Sequence, residues 1–416
     1  MKRLLFILFV AALVALPAVY GDSTATQGTS HRAHSKIHES ARGRRHISSL
    51  QHRRRVTAHV TPTALTTTRS AHRKRLHRVY RHRYYERFTA SSFADTDLTT
   101  GDITAGEDPV VRHAAIDALG NMNGTVVAID PSNGRILAMV NQKLALSSGA
   151  EPCSTIKISV ALAALEEGII TKDTPVNLGG NYHLNLTQAL AHSNNLYFET
   201  VGRRLGFQRL YSYEKEFGLG ELAGWNIPGE NPGIYPDEAI PESEGGVGRM
   251  CSFGEGISMT PLQLGALVAA VANGGTLYYL QHPTTPEQVL DLQPRIKRTL
   301  DIAKILPEIE PGMQAVVRYG TARSLRANFN QFPVLGKTGT CSNDGTRFGW
   351  FASYADTQYG RIVTVFFLEG GRPTFGPKAA ELTGIFYRDL WDSSYFAAKQ
   401  PLETPAAGVT EVGAPQ

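Results

Sequence analysis

From Ile158 to Leu165 the sequence reads Ile-Ser-Val-Ala-Leu-Ala-Ala-Leu, apolar nearly all the way round a helix of 3.6-residue period. A surface helix shows a single apolar stripe, so this one is expected to be buried, and the rest of the chain has to close around it. The residues leading into it are Glu151-Pro-Cys-Ser-Thr-Ile-Lys157. Pro152 suits the entry to a helix, where a missing N–H costs nothing. Ser154 and Lys157 stand three apart and share one helix face, with Cβ atoms about 5–6 Å apart. A hydroxyl and an amine held there are a candidate nucleophile and base. Alone, the spacing is weak, because a serine that caps the helix and a lysine that snorkels to solvent explain it more plainly.

The distribution of charge narrows the classes. Of the 42 Lys and Arg residues, 18 lie before residue 91, against three of the 37 Asp and Glu. The remainder therefore holds 24 basic and 34 acidic residues, and the net charge of +5 belongs to the N-terminal stretch. Nucleic-acid binding would have to rest on that stretch alone, and none is expected. The chain opens with Lys2 and Arg3, then runs uncharged from Leu4 to Val19. Residues 1–21 are expected to direct export, either removed after Gly21 or kept as an anchor, which places the protein in the periplasm or at the outer face of the inner membrane. Residues 22–109 are expected to form a basic, largely disordered tether, rich in runs such as His72-Arg-Lys-Arg-Leu-His-Arg78 that suit anionic envelope polymers. His31, His34 and His38 make no compact ligand set, and no metal or other cofactor is expected.

Folding is expected from about Val110. Arg112 to Leu119 reads as a helix, and Gly124–Ile129 and Arg135–Val140 as strands around the turn Asp130-Pro-Ser-Asn-Gly134. Helical period returns at Leu184–Ala191, Leu196–Leu205, the apolar run through Ala272, and Glu310–Arg323. Gly224 to Gly248 shows no period. Three strands are expected at Val334–Thr340, Phe348–Tyr354 and Ile362–Leu368, then a last helix at Lys378–Trp391 and a disordered tail over 396–416.

Two further short motifs stand in telling places. Ser193-Asn-Asn195 sits between two helices, where capping is its plainer role. Lys337-Thr-Gly339 sits on a strand, where a glycine is unfavourable unless another backbone approaches closely. S-x-x-K, S-x-N and K-T-G in this order resemble the active-site set of the penicillin-recognising serine transferases and hydrolases. The stretches Asp130-Pro-Ser-Asn-Gly-Arg135 and Gly256–Gly275 also resemble the transpeptidase domain of penicillin-binding proteins, and the resemblance covers residues 110–395.

That resemblance implies an α+β fold, with a five-stranded antiparallel sheet flanked by helices, an all-helical subdomain, and the active site between them. It implies acyl transfer from D-Ala-D-Ala stem peptides of peptidoglycan, with β-lactams as inhibitors that trap the acyl-enzyme. Ser154 would attack, Lys157 would be its base, Ser193 would relay a proton and Asn195 would orient Lys157. Lys337 with Thr338 and Thr340 would hold the substrate carboxylate, and Gly339 would let the substrate lie against the strand. The backbone N–H groups of Ser154 and Thr340 would form the oxyanion hole. Cys153 stands where the family usually has glycine, and the resemblance to some serine β-lactamases implies a disulfide between Cys153 and Cys341. Carboxypeptidase, β-lactamase and non-catalytic sensor readings stay open. Glu230 is the candidate deacylating base of the second, though its loop does not match.

Overall fold

The computed structural model describes residues 89–372 and 374–398. The expected export segment, the basic stretch up to residue 88 with its polymer contacts, and the tail from residue 399 lie outside the described residues. Helix α1 (Pro109–Leu119) starts at a strong cap, where the Asp108 carboxylate accepts from Val110 and Val111 N–H and Pro109 takes the first position. Strands β1 (Gly124–Asp130) and β2 (Arg135–Val140) form the expected hairpin. After them come α2 (Lys157–Glu166), α3 (Leu186–Ala191), α4 (Asn195–Leu205), α5 (Phe207–Glu216), α6 (Gly246–Phe253), α7 (Pro261–Asn273) and α8 (Leu306–Arg318). The chain then builds β3 (Val334–Asn343), β4 (Thr346–Thr357) and β5 (Gly360–Gly370), and ends on α9 (Gly376–Asp392).

The sheet order is β2-β1-β5-β4-β3, antiparallel throughout, so Lys337-Thr-Gly339 lies on an edge strand. Helices α1 and α9 pack together on the sheet, α7 packs on β1, β4 and β5, and α2 packs among α4, α5 and α6. This is a five-stranded antiparallel sheet flanked by helices, as the sequence implied. Helix α2 is enclosed as its composition demanded, with every residue from Lys157 to Leu165 buried. Among the described residues no helix is long and apolar enough to cross a membrane.

The structure departs from the sequence reading at both ends of the domain. Packing begins by Thr89, well before Val110: Thr89 N–H donates to Arg372 O, and Phe93 pairs with Met122. Arg112 binds Asp102 and Glu107, each at 2.8 Å, and Glu107 also accepts from Met139 N–H. These are polar and backbone contacts, which leave no period in the sequence. At the other end Phe396 is buried against Phe332, their centroids 4.9 Å apart. Helices α5 and α6 lie where no helix was expected, and the Gly-Val-Gly start of α6 explains its absence from a propensity reading.

Candidate active site

The nucleophile candidate does not sit in the α-helix itself. Cys153–Ile156 form a 3₁₀ turn, and α2 begins at Lys157. Ser154 makes no cap hydrogen bond, so its hydroxyl is left for chemistry. The capping expected of the second motif is carried by Asn194 alone, whose side-chain oxygen accepts Tyr197 N–H at 2.8 Å. Ser193, at φ 52, is thereby turned out of both helices and faces Lys157.

Lys157 is fully buried, and its Nζ lies 3.0 Å from Ser154 Oγ, 2.9 Å from Ser193 O, 3.1 Å from Ser193 Oγ and 2.6 Å from Asn195 Oδ1. The Ser193 and Asn195 carbonyl oxygens can only accept. A neutral amine has two N–H groups to give them, and its lone pair is then left for a hydroxyl, Ser154 Oγ at 3.0 Å or Ser193 Oγ at 3.1 Å. Burial and the neighbouring Lys337 both hold Lys157 well below the usual lysine range. Lys337 is also fully buried, and its Nζ donates to Ser193 Oγ and to Thr338 O, both at 2.9 Å. Burial brings Lys337 down to about 7. Ser193 Oγ therefore bridges two amines that both give up protons easily.

Residues 124–387 match the family model of the penicillin binding protein transpeptidase domain, well over half of the chain. The chain belongs to the penicillin-binding protein transpeptidase family. It is 29% identical over 321 residues to stage V sporulation protein D of Bacillus subtilis, covering 63% of this chain and 48% of that one. It is 25% identical to peptidoglycan D,D-transpeptidase MrdA of Acinetobacter baumannii, covering 67% and 52%. The chain thus spans about half the length of these curated relatives, or less. Among solved structures, Pseudomonas aeruginosa PBP2 in complex with WCK 5153 superposes with a TM-score of 0.58 at 23% identity, over 73% of this chain and 78% of that one.

Within this transpeptidase domain the third motif differs in detail from expectation. Gly339 does not face open space for a substrate. A Cβ there would stand 2.8 Å from Pro152 O and 3.1 Å from Thr155 Cγ2, so the glycine lets the nucleophile's turn pack against β3. Cys153 and Cys341 are joined by a disulfide across the same contact, with Cα atoms 5.5 Å apart. Thr340 Oγ1 accepts from Gly376 N–H at 2.9 Å. Thr338 is nearly buried, and its hydroxyl lies 2.5 Å from that of Thr321.

Thr321 escaped the sequence reading. Its N–H donates to Ala191 O, which ties the loop after α8 to the helix that precedes Ser193. Gly320 beside it has no room for a side chain, since a Cβ would lie 2.2 Å from Ala191 O. The sequence reading ran a helix through Gly320 to Arg323, whereas α8 ends at Arg318; the glycine inside that run was the only signal of a stop or a close approach. Glu230 is accounted for as well: its carboxylate accepts Ala223 and Gly224 N–H at 2.7–3.0 Å, and so staples its own loop. Among the described residues no group of three or more His, Cys, Asp or Glu is placed to hold a metal ion.

Beneath the nucleophile's turn lies an unusual support. Ser159 Oγ is 2.8 Å from Ile156 O and 2.6 Å from Glu214 Oε1, and Glu214 is fully buried. The one hydroxyl proton of Ser159 is shared between the carbonyl and the carboxyl. Burial pushes Glu214 up to about 8. Unfolded glutamate ionises near 4.3, so this group costs no stability below that pH and an increasing amount as pH rises towards 8. Glu214→Gln, which keeps a donor to Ser159, should gain on the wild type by on the order of 3 kcal/mol between pH 5 and pH 8. Denaturant melts at both pH values check this, and a pH-independent difference would count against a protonated Glu214.

Proposed function

We propose that the chain is a serine D,D-transpeptidase of peptidoglycan cross-linking, working outside the cytoplasm on D-Ala-D-Ala stem peptides. The observation that carries the reading is the environment of Lys157, a buried amine with two obligatory acceptors and the Ser154 hydroxyl 3.0 Å away. Ser154 Oγ attacks the carbonyl of the penultimate residue, and its proton passes to Lys157. The oxyanion is held by the N–H groups of Ser154 and Thr340. The amide bond to the terminal D-alanine breaks, and Ser193, between Lys157 and Lys337, delivers the proton to the leaving amine. An acceptor amine then attacks the ester, and Ser154 regains its proton. Lys337 and the hydroxyls of Thr338 and Thr340 hold the terminal carboxylate, with Asn195 orienting Lys157 and the donor's amide. β-Lactams acylate the same serine. The basic N-terminal stretch serves as tether and meets anionic envelope polymers.

The stapled position of Glu230 supports a transpeptidase over a β-lactamase, since no spare carboxylate there serves to activate water. The deciding measurement follows a labelled penicillin on the full chain. The label should leave slowly, and a D-Ala-D-Ala peptide offered with an amine acceptor should give the new amide in excess of the hydrolysed product. Release of label within seconds would make the protein a β-lactamase, and hydrolysis alone a carboxypeptidase.

A further inference from the structure

The loop that Glu230 staples carries Trp225, which is 41% exposed although large aromatic side chains are usually covered. Trp225 is held firmly. Its N–H donates to Leu280 O at 2.7 Å, Tyr279 meets its ring edge-on at 5.3 Å, and the Arg295 guanidinium lies 4.5 Å from the ring centroid. The next residue, Asn226, is a non-glycine at φ 51, a conformation that persists only where the surroundings impose it. Together they border a cavity of about 520 Å³, within the roughly 300–1,000 Å³ typical of small-ligand sites. Gln288, Asp291 and Gln293 line it from the other side.

The chemistry of this lining is specific. It offers an indole, carboxamides that both donate and accept, and one charge of each sign. Among the described residues no hydrogen bond or ion pair engages the side chains of Asn226, Asp291, Gln293 or Arg295. Ile103, Leu146, Ile227, Pro228, Pro283 and Leu292 add apolar surface beside these groups, and the cavity lacks the excess of cations that a phosphate polymer needs. A ligand with many neutral donors and acceptors around apolar C–H faces matches it, and that ligand is a sugar. We propose that this cavity binds a short stretch of neutral glycan. Its placement gives the binding a use. The stretch from Gln142 to Glu151 runs from the cavity to the nucleophile's turn, and Asn226 to Ile234 runs alongside to the strand-like contact with Ser258. The glycan that carries a stem peptide would rest here while the peptide reaches Ser154. Only this last step rests on the proposed transpeptidase function, because the sugar site stands on its own lining.

The test titrates the full chain with the β-1,4-linked tetramer of N-acetylglucosamine. Binding is read as heat by titration calorimetry, so that Trp225 can be replaced without losing the signal. A saturable change is expected, weakened at least tenfold by Trp225→Ala and several-fold by the milder Gln293→Ala. Penicillin labelling of Ser154 should be unaltered in both variants, which also verifies that they are folded. A flat titration would overturn the proposal, as would undiminished binding in both variants, or a sugar-free stem peptide binding the same residues more tightly. Absent labelling in the wild type together with intact sugar binding would instead remove the transpeptidase reading and leave this site standing.

Discussion

Ser154→Ala should abolish covalent labelling by a β-lactam altogether, and Lys157→Met should slow it by about 10²–10⁴-fold while leaving the fold in place. The two results belong to one unit. A serine hydroxyl attacks an amide slowly unless a base takes its proton, and Lys157 Nζ is the one amine within 3.0 Å of Ser154 Oγ among the described residues. Methionine is close to lysine in length and keeps the buried volume, so the loss would be chemical rather than a packing defect. The dependence on pH follows from the same geometry. Burial and Lys337 hold Lys157 down, so its free base appears at lower pH than that of an ordinary lysine, and acylation should rise with pH along the limb that Lys157 sets. Lys337, brought to about 7, loses the charge that binds a carboxylate as pH climbs above that value. Acylation by a carboxylate-bearing ligand should therefore pass through a maximum, whose limbs belong to the coupled pair of lysines. A ligand with its carboxylate esterified should lose the alkaline decline. A profile that is flat for both ligands would remove Lys157 from the role of base.

Breaking the disulfide should have the largest effect on stability. Cys153 and Cys341 close a loop of 188 residues, for which loop-closure entropy gives on the order of 5 kcal/mol. The double substitution Cys153→Ser with Cys341→Ser should lower Tm by roughly 10 °C or more. Acylation should suffer too, since Cys153 sits at φ 51 immediately before the nucleophile, and serine has no tether to keep it there. Melting with and without a thiol reductant separates the causes, because reductant should not affect the double variant. A wild-type Tm that ignores reductant would show that the bridge contributes little.

The chemistry of the site was legible from the sequence because it depends on residue identity at short spacings. Ser154, Lys157, Ser193, Asn195 and Lys337 converge through hydrogen-bonding side chains that the three motifs already contained. The strands were legible for a related reason: β4 and β5 carry long apolar stretches, and β3 has the apolar lead Val334-Leu335 into its motif. Contacts made at long range were not legible. Thr321 meets Thr338 only because two helices and a strand bring them together, and Glu230 looked like a spare acid until its backbone partners appeared. Gly339 was noticed for a sound reason, the need for close approach, and a backbone that comes close to it is that of Pro152.

The covalent bond between the nucleophile's turn and β3 has a mechanical consequence. One wall of the cleft is a rigid plate, stitched by Cys153–Cys341 and by the contact of Gly339 with Pro152. The opposite wall, around Ser193, is held by Thr321 N–H on Ala191 O and by the two lysines on Ser193 Oγ. Hydrogen bonds yield at far lower cost than a covalent bridge does. Any widening of the cleft for a bulky ligand is therefore expected on the serine–asparagine side, with the disulfide side as the fixed edge.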